Sequence, residues 1–305
     1  MVSLFLLEGW IRIMNLPPVD ELTKTALCNQ LHDLEKLLDG DVISFTGQIM
    51  EGTELTFSRI IEELAEDKDK HDVLYIILTT PGGSAIAVER YVNIIRQHYK
   101  IVNFIVSDYA YSAGTIFCMS GDDIYMDYYS VLGPIDPQVQ NRDGNFVAAL
   151  GYLDKVNELV EKARNNTLTQ AEFLILREID LAELRSYEQA KELTIDLLKK
   201  WLVKYKFKNW TEHQTNSSLK GQPVSYDEKR KRAEEIADKL SDNNIWKSHA
   251  RSINIEVLEK ELRLKIHDYT NEHNLRNKIR NYYLLLNHYL QINRHPVYIH
   301  TRRFM

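Results

Sequence analysis

Val73-Leu74-Tyr75-Ile76-Ile77-Leu78-Thr79-Thr80-Pro81-Gly82-Gly83-Ser84 is the stretch that decides the architecture. Its first six residues are almost wholly apolar, which suits a strand covered on both faces, as the strands of parallel sheets are. The run breaks at Pro81-Gly82-Gly83, a strand-to-helix corner. A helix is expected from about Ser84 to Tyr99, followed by a further apolar strand at Val102–Val106. A second corner, Ser107–Ser112, then leads into a helix over Ala113–Ser120 and a strand at Asp123–Met126.

Working outward, Asp20–Leu38 has the spacing of a helix, with Leu22, Ala26, Leu31, Leu34 and Leu37 marking its apolar face and Gly40 ending it. Asp41–Thr46 is a β-branched and aromatic run, hence a strand, and Thr53–Ala65 is a helix with Leu55, Ile60, Ile61 and Leu64 inward. Strand and helix therefore alternate over residues 41–135, the signature of an α/β unit with parallel pairing. From Phe146 onward the texture changes to long helical stretches, 146–164 and 170–206. A polar loop at Asn209–Ser225, a helix at Asp227–Leu240 and a short motif plus helix over 245–268 come next. The expected layout is an N-terminal segment and helix (1–40), a core domain over 41–268 with a helical insertion at about 146–245, and a C-terminal tail (269–305). Within that tail Tyr282–Ile292 is apolar enough to dock on a neighbouring subunit or on its own core; a membrane surface or nucleic acid is the weaker alternative.

Composition narrows the classes. A chain of 305 residues can bury a sizeable core. A net charge of −6 disfavours a general nucleic-acid binder, which needs a basic surface. The mixed-sign run Lys229-Arg230-Lys231-Arg232 with Glu234 and Glu235 is read as a solvated helix face. Cys28 and Cys118 make neither a metal-ligand pair nor a disulfide framework, so a cytoplasmic location is the default and Cys118 is expected to be a core thiol. The apolar start, Val2–Leu7, is cut off by Glu8 and is too short for a secretory signal or a membrane span; Met14 is an alternative start. No run of 18 apolar residues occurs, so no transmembrane helix is expected.

The two corners carry the candidate chemistry. Gly82-Gly83 permits positive φ and close approach to the backbone, and the amides of such a turn can hold an oxyanion. A plain tight turn is the alternative, and the phosphate-binding glycine patterns are absent. At Tyr109-Ala110-Tyr111-Ser112-Ala113-Gly114-Thr115 a strand ends, a serine comes next and small residues open a helix. That is the arrangement of a nucleophile elbow, without its usual G-x-S-x-G sequence. A serine at a helix start also commonly serves as a cap. Taken together the corners say more, because they end consecutive strands joined by one helix. In a parallel pair both would face one cleft, with a hydroxyl on one side and amide donors on the other, which suits acyl transfer.

ILTTPGGS (77–84), DYAYSAGTIFCMSGDDIYMD (108–127) and SVLGPIDPQ (130–138) together resemble the ClpP/SppA clan of serine peptidases, and most closely its serine dehydrogenase proteinase family. The resemblance runs roughly from Val42 to Ile266, dense over 73–139 and loose over 146–245. It implies a ClpP/crotonase-like core of stacked ββα units, with rings or other oligomers common. Carried onto this chain, it makes Ser112 the nucleophile, Gly82 and Gly83 the oxyanion and substrate-binding loop, and the Ala113 amide a further oxyanion donor.

Serine needs a base. The ClpP histidine would fall near Pro134–Asp136, where no histidine stands; Asp136 is left as an orienting residue or a plain turn residue. Lys155 matches a family lysine, and a lysine base must be desolvated to be neutral near pH 7. His249 lies in Trp246-Lys247-Ser248-His249-Ala250, where the family has W-x-[TS]-H-D, so Ala250 replaces the usual aspartate. Base and orienter are thus open between His249, Lys155 and Asp136. The expected activity is an ATP-independent serine endopeptidase acting on peptide or unfolded protein, homo-oligomeric, with no metal or organic cofactor and room for an unfoldase or regulatory partner. Two other readings stay open: a catalytically degenerate scaffold or regulatory subunit, and a crotonase-like acyl-CoA enzyme.

Overall fold

The computed structural model describes residues 19–140, 146–213, 218–248 and 251–303. Its centre is a sheet built on four parallel strands: β1 (Asp41–Gly47), β2 (Val73–Thr80), β3 (Ile101–Ala110) and β4 (Asp123–Met126). The short β5 (Val131–Leu132) runs parallel to the end of β3, and β8 (His267–Asp268) parallel to β4. At the other edge β9 (Val297–His300) pairs antiparallel with β1, which gives the order β8-β4-β3-β2-β1-β9. The alternation expected over 41–135 is therefore present, and β2 and β3 are neighbours, as the two-corner argument requires. A separate two-stranded ribbon, β6 (Gln138–Gln140) with β7 (Phe146–Ala148), precedes the helical layer, where continuous helix from 146 was expected.

Each face of the sheet has its own core. On one face Phe57, Ile60, Ile61 and Leu64 of the helix Glu54–Ala65, Val88, Tyr91 and Ile95 of Ala85–His98, and Ile116 and Phe117 of Ala113–Met119 pack on Ile43, Ile76, Leu78 and Phe104. Helices Leu181–Trp201 and Tyr226–Leu240 add Leu197, Leu198, Trp201, Ile236 and Leu240 to that same core. On the other face helices Val19–Leu38 and His273–Asn293 cover Val42, Ile77 and Ile105. The first of these buries Leu27, Leu31 and Leu34, whereas Leu22 and Leu37 are exposed; Leu55, expected inward, is exposed too, and Phe57 takes its place. In both helices the true stripe is the i, i+4, i+7 set, Leu27, Leu31 and Leu34 in one and Phe57, Ile61 and Leu64 in the other, so the predicted faces were turned off it and missed Leu27 and Phe57.

The C-terminal tail is structural. Its helix packs with Leu275, Ile279, Tyr282 and Leu286 inward, the own-core alternative for Tyr282–Ile292. Arg302 then closes the sheet edge with 2.7 Å contacts to both Glu35 and Asp41 and a 3.2 Å contact to Asp67. The backbone N–H of Asp69, followed by Arg303 and Arg302, pulls the Asp67 carboxyl down to about 2. Burial holds His300, which meets the Tyr282 hydroxyl at 2.8 Å, down to about 4. Cys118 is fully buried, as expected of a core thiol, and burial pushes its thiol up. Among the described residues no helix is long and apolar enough to cross a membrane.

Candidate active site

Ser112 sits where β3 hands over to the helix Ala113–Met119, with φ 52° and ψ −116°. Side chains rarely adopt that backbone region, and holding one there costs about 1–3 kcal/mol, which persists only when the surroundings over-determine it. Although Ser112 occupies the capping position, its hydroxyl makes no bond to a helix N–H, so the capping role is not taken. Ser112 is buried, and among the described residues the one hydrogen-bond contact of its hydroxyl is 3.4 Å to the carbonyl oxygen of Asp136. That is longer than the ~2.5–3.0 Å of a good O–H···O bond, so the hydroxyl is held loosely.

The glycine corner packs directly on this serine. Gly82 and Gly83 have φ of 105° and 143°. A Cβ on Gly82 would lie 2.7 Å from the Tyr111 carbonyl oxygen and 2.9 Å from the Ser112 Cβ; one on Gly83 would collide with the carbonyl oxygen of Ile49. Ile49 stitches the corner like an added strand: its N–H donates to Gly82 O at 2.9 Å, and Ser84 N–H donates to Ile49 O at 3.0 Å. Gly82 N–H donates to Thr80 Oγ1 at 3.0 Å and is therefore occupied. Among the described residues neither Gly83 N–H nor Ala113 N–H has an acceptor. Each corner thus has at least one backbone donor without an acceptor among the described residues.

Two threonines, which sequence reasoning passed over, brace these corners. Besides accepting from Gly82, Thr80 presents its carbonyl to Tyr111 N–H at 3.0 Å, and its methyl fills the space beside Gly114. Thr115 Oγ1 lies 2.9 Å from Ala110 O and 2.8 Å from Gly133 O, and accepts Gly133 N–H at 3.1 Å. One buried hydroxyl thereby ties the elbow to the Gly133-Pro134-Ile135-Asp136 segment. The signal that could have revealed it is its place directly after Ser112-Ala113-Gly114.

The candidate bases are placed less favourably. Asp136 is buried; its carboxylate accepts Leu150 N–H at 3.1 Å, while its carbonyl faces Ser112. Lys155 lies on the helix Ala149–Arg164 between the buried Leu153 and Val156, but its own side chain is 61% exposed and Nζ is 2.8 Å from Glu158. It therefore lacks, within one chain, the burial a lysine base needs. His249 lies outside the described residues. Its flanks are anchored: Trp246 donates its indole N–H to Lys239 O at 2.7 Å, and Ile253 exchanges backbone bonds of 2.9 and 2.8 Å with Leu132. Leu132 pairs with Ala110, two residues before the nucleophile. Among the described residues no lysine or histidine nitrogen is hydrogen-bonded to the Ser112 hydroxyl, and no three His, Cys, Asp or Glu side chains gather as a metal cage would require. An open cleft of about 750 Å³ lies elsewhere, lined by Lys199, Lys200, Lys204, Arg230 and Lys231 of the helical layer; it includes neither corner.

Comparison with known proteins bears on this arrangement. Two uncharacterized proteins of Methanocaldococcus jannaschii resemble parts of the chain. One is 32% identical over 124 residues, covering 41% of this chain and 38% of its own length; the other is 39% identical over 75 residues, covering 25% and 26%. The chain thus spans well under half the length of either relative. Among solved structures, a serine-to-alanine mutant of the 1510-N membrane-bound stomatin-specific protease is similar, with a TM-score of 0.43 and 17% identity over 77% of this chain and 82% of that one. A lysine-to-alanine mutant of the same protease, in complex with a substrate peptide, gives 0.43 and 19% over 74% of each. The family of ClpP-like SDH-type serine proteinases matches residues 57–236, more than half of the chain and all of both corners, and the chain belongs to that family.

Proposed function

We propose that this protein hydrolyses peptide bonds with Ser112 as nucleophile and the amides of Gly83 and Ala113 as oxyanion donors. The observation that carries the reading is the elbow itself: a serine held at φ 52°, its hydroxyl free of any capping bond, packed against a glycine corner that keeps one free N–H. The strain is useful in this position, because it points the hydroxyl out of the strand end instead of along the helix. Ser112 Oγ attacks the substrate carbonyl carbon, and its proton passes to the base. The carbonyl oxygen becomes the oxyanion held by the two amides; the C–N bond then breaks as the base gives the proton to the leaving amine, and a water deprotonated by the same base cleaves the acyl ester and regenerates the Ser112 hydroxyl. Gly82 contributes shape in this scheme, since its own N–H is spent on Thr80.

Two residues compete for the base. Lys155 takes the role only if a partner chain or bound substrate covers it and breaks its pair with Glu158. His249 has in its favour the anchoring of its segment beside Leu132. Asp136 is an orienting residue in either case. Assembly into a homo-oligomer acting on peptide or unfolded protein, independently of ATP and in the cytoplasm, belongs to this same reading. The exposure of Lys155 also favours a second reading, a scaffold that keeps the elbow without its base.

Hydrolysis of a quenched fluorescent peptide library by the purified full chain tests the choice. Activity that disappears in Ser112→Ala supports the peptidase. A folded, assembled protein that cleaves nothing favours the scaffold.

A further inference from the structure

The helix His273–Asn293 lies outside the family-matched stretch, yet it grips the nucleophile strand from behind. Tyr283 donates its hydroxyl to the Asp108 carboxylate at 2.5 Å. One turn earlier Arg280 forks onto Asp127 at 2.6 and 3.1 Å and reaches the Tyr128 hydroxyl at 3.0 Å. Just before the helix, the Tyr269 hydroxyl donates to Val106 O at 3.3 Å. These grips converge on the end of β3 and the loop after β4.

Asp108 has a particular place there. Leu78 pairs with Val106 and Thr80 with Ala110, so Ser107, Asp108 and Tyr109 on β3 stand opposite Thr79 alone on β2. Such a bulge disrupts the ladder and re-aims the chain beyond it. Directly beyond this one lies the elbow: the Tyr109 ring stacks on Tyr111 with centroids 5.1 Å apart, and Tyr111 immediately precedes Ser112. From the front the elbow is braced by Gly82 and Thr115. From behind, the bulge is held by Thr79, whose Oγ1 is 2.8 Å from Ser107 Oγ, and by Tyr283.

We propose that Tyr283 is a positioning residue for Ser112: by holding Asp108 in the bulge, it fixes the direction in which β3 delivers the nucleophile. The proposal rests on the assignment of Ser112 above. A backbone at φ 52° is kept only by its surroundings. Without the Tyr283 hydroxyl the bulge gains freedom, the tyrosine stack loosens, and Ser112 relaxes toward an ordinary φ that carries Oγ off its aim. Burial, and then the hydrogen bond to Asp108, push the Tyr283 phenol far up, so it stays protonated and able to donate.

Tyr283→Phe in the full chain removes only the donor. Hydrogen exchange of the peptide spanning 107–114 is expected to quicken about tenfold while that of β1 and β2 does not change. Fluorophosphonate labelling of Ser112 and kcat are expected to fall about tenfold to a hundredfold at unchanged KM. Asp108→Ala should behave alike, Asp108→Asn should rescue most of its loss because the amide oxygen still accepts, and the double variant Tyr283→Phe/Asp108→Ala should be no worse than either single one. Unchanged exchange over 107–114, or a labelling loss that merely tracks the unfolded fraction in urea titrations, overturns the proposal. If the wild-type protein takes no label, the assignment of Ser112 fails; exchange over 107–114 then still decides whether Tyr283 holds the bulge.

Discussion

The two strand-end corners and the helix carrying Lys155 belong to one fold but are made very differently. At the corners backbone and side chain are closely knit: Thr80 binds Gly82 and Tyr111, Thr115 binds Ala110 and Gly133, and Ile49 binds Gly82 and Ser84, while among the described residues the amides of Gly83 and Ala113 have no acceptor. On the helix, Lys155 stands in solvent, in an i, i+3 pair with Glu158 that links through Lys162 to Glu172. Exposed pairs of that kind contribute little to stability and rearrange readily. The difference is that the corner proposed to carry the nucleophile is knit together within one chain, whereas Lys155, a proposed base, is held only by exposed ion pairs.

Removing each candidate base is the largest way to sharpen that contrast. Lys155→Ala and His249→Ala are each to be assayed for kcat on a peptide substrate; the true base should cost about 10³-fold or more, and the other little. Stability should hardly notice Lys155→Ala, with a change within about 0.5 kcal/mol by urea denaturation.

Next comes Gly83→Ala. The added methyl meets the Ile49 carbonyl and the residue must hold φ 143°, so the corner has to shift. Activity is expected to drop about 10²–10³-fold through the displaced amide, with about 2–3 kcal/mol of stability lost. A variant with normal turnover would remove Gly83 from the oxyanion hole.

Thr115→Val should be milder. It keeps the shape but strands the Gly133 N–H and the carbonyl served by the Thr115 hydroxyl proton in a buried site, which costs about 1–3 kcal/mol by chemical denaturation. Turnover should fall with it, because the segment carrying Asp136 loses its tie to the elbow.

The smallest effect has the opposite sign. Ser112→Gly relieves a backbone strain that Ser112→Ala retains, so the glycine variant should be the more stable of the two inactive proteins by about 1 kcal/mol. Equal melting temperatures would mean that the elbow stores no strain.

The same contrast explains how much was legible in the sequence. Strands such as Val73–Thr80 are buried on both faces and almost wholly apolar over their first six residues, so the alternation of the core could be read, and with it both corners. Ser112 and Gly83 stand out in the local sequence of the two corners, whereas the role of Ala113 is implied only by the family resemblance. Thr80 was not legible, because a buried threonine bracing a turn looks like any other threonine, and Thr115 had only its place directly after Ser112-Ala113-Gly114 to mark it. Nor was the C-terminal clasp: Arg302 meets Glu35, Asp41 and Asp67 across most of the chain's length, and no local pattern announces such partners. Lys155 shows the limit most clearly. Its apolar neighbours Leu153 and Val156 suggested burial, but on a helix adjacent residues face different ways, and the lysine points to solvent.

The central claim is that Ser112 is a nucleophile poised by its backbone. Treating the full chain with a fluorophosphonate and mapping the adduct by peptide mass spectrometry tests it most directly. One adduct is expected, on Ser112, absent from Ser112→Ala. No adduct on folded, assembled wild-type protein, or an adduct that persists in Ser112→Ala, would contradict it.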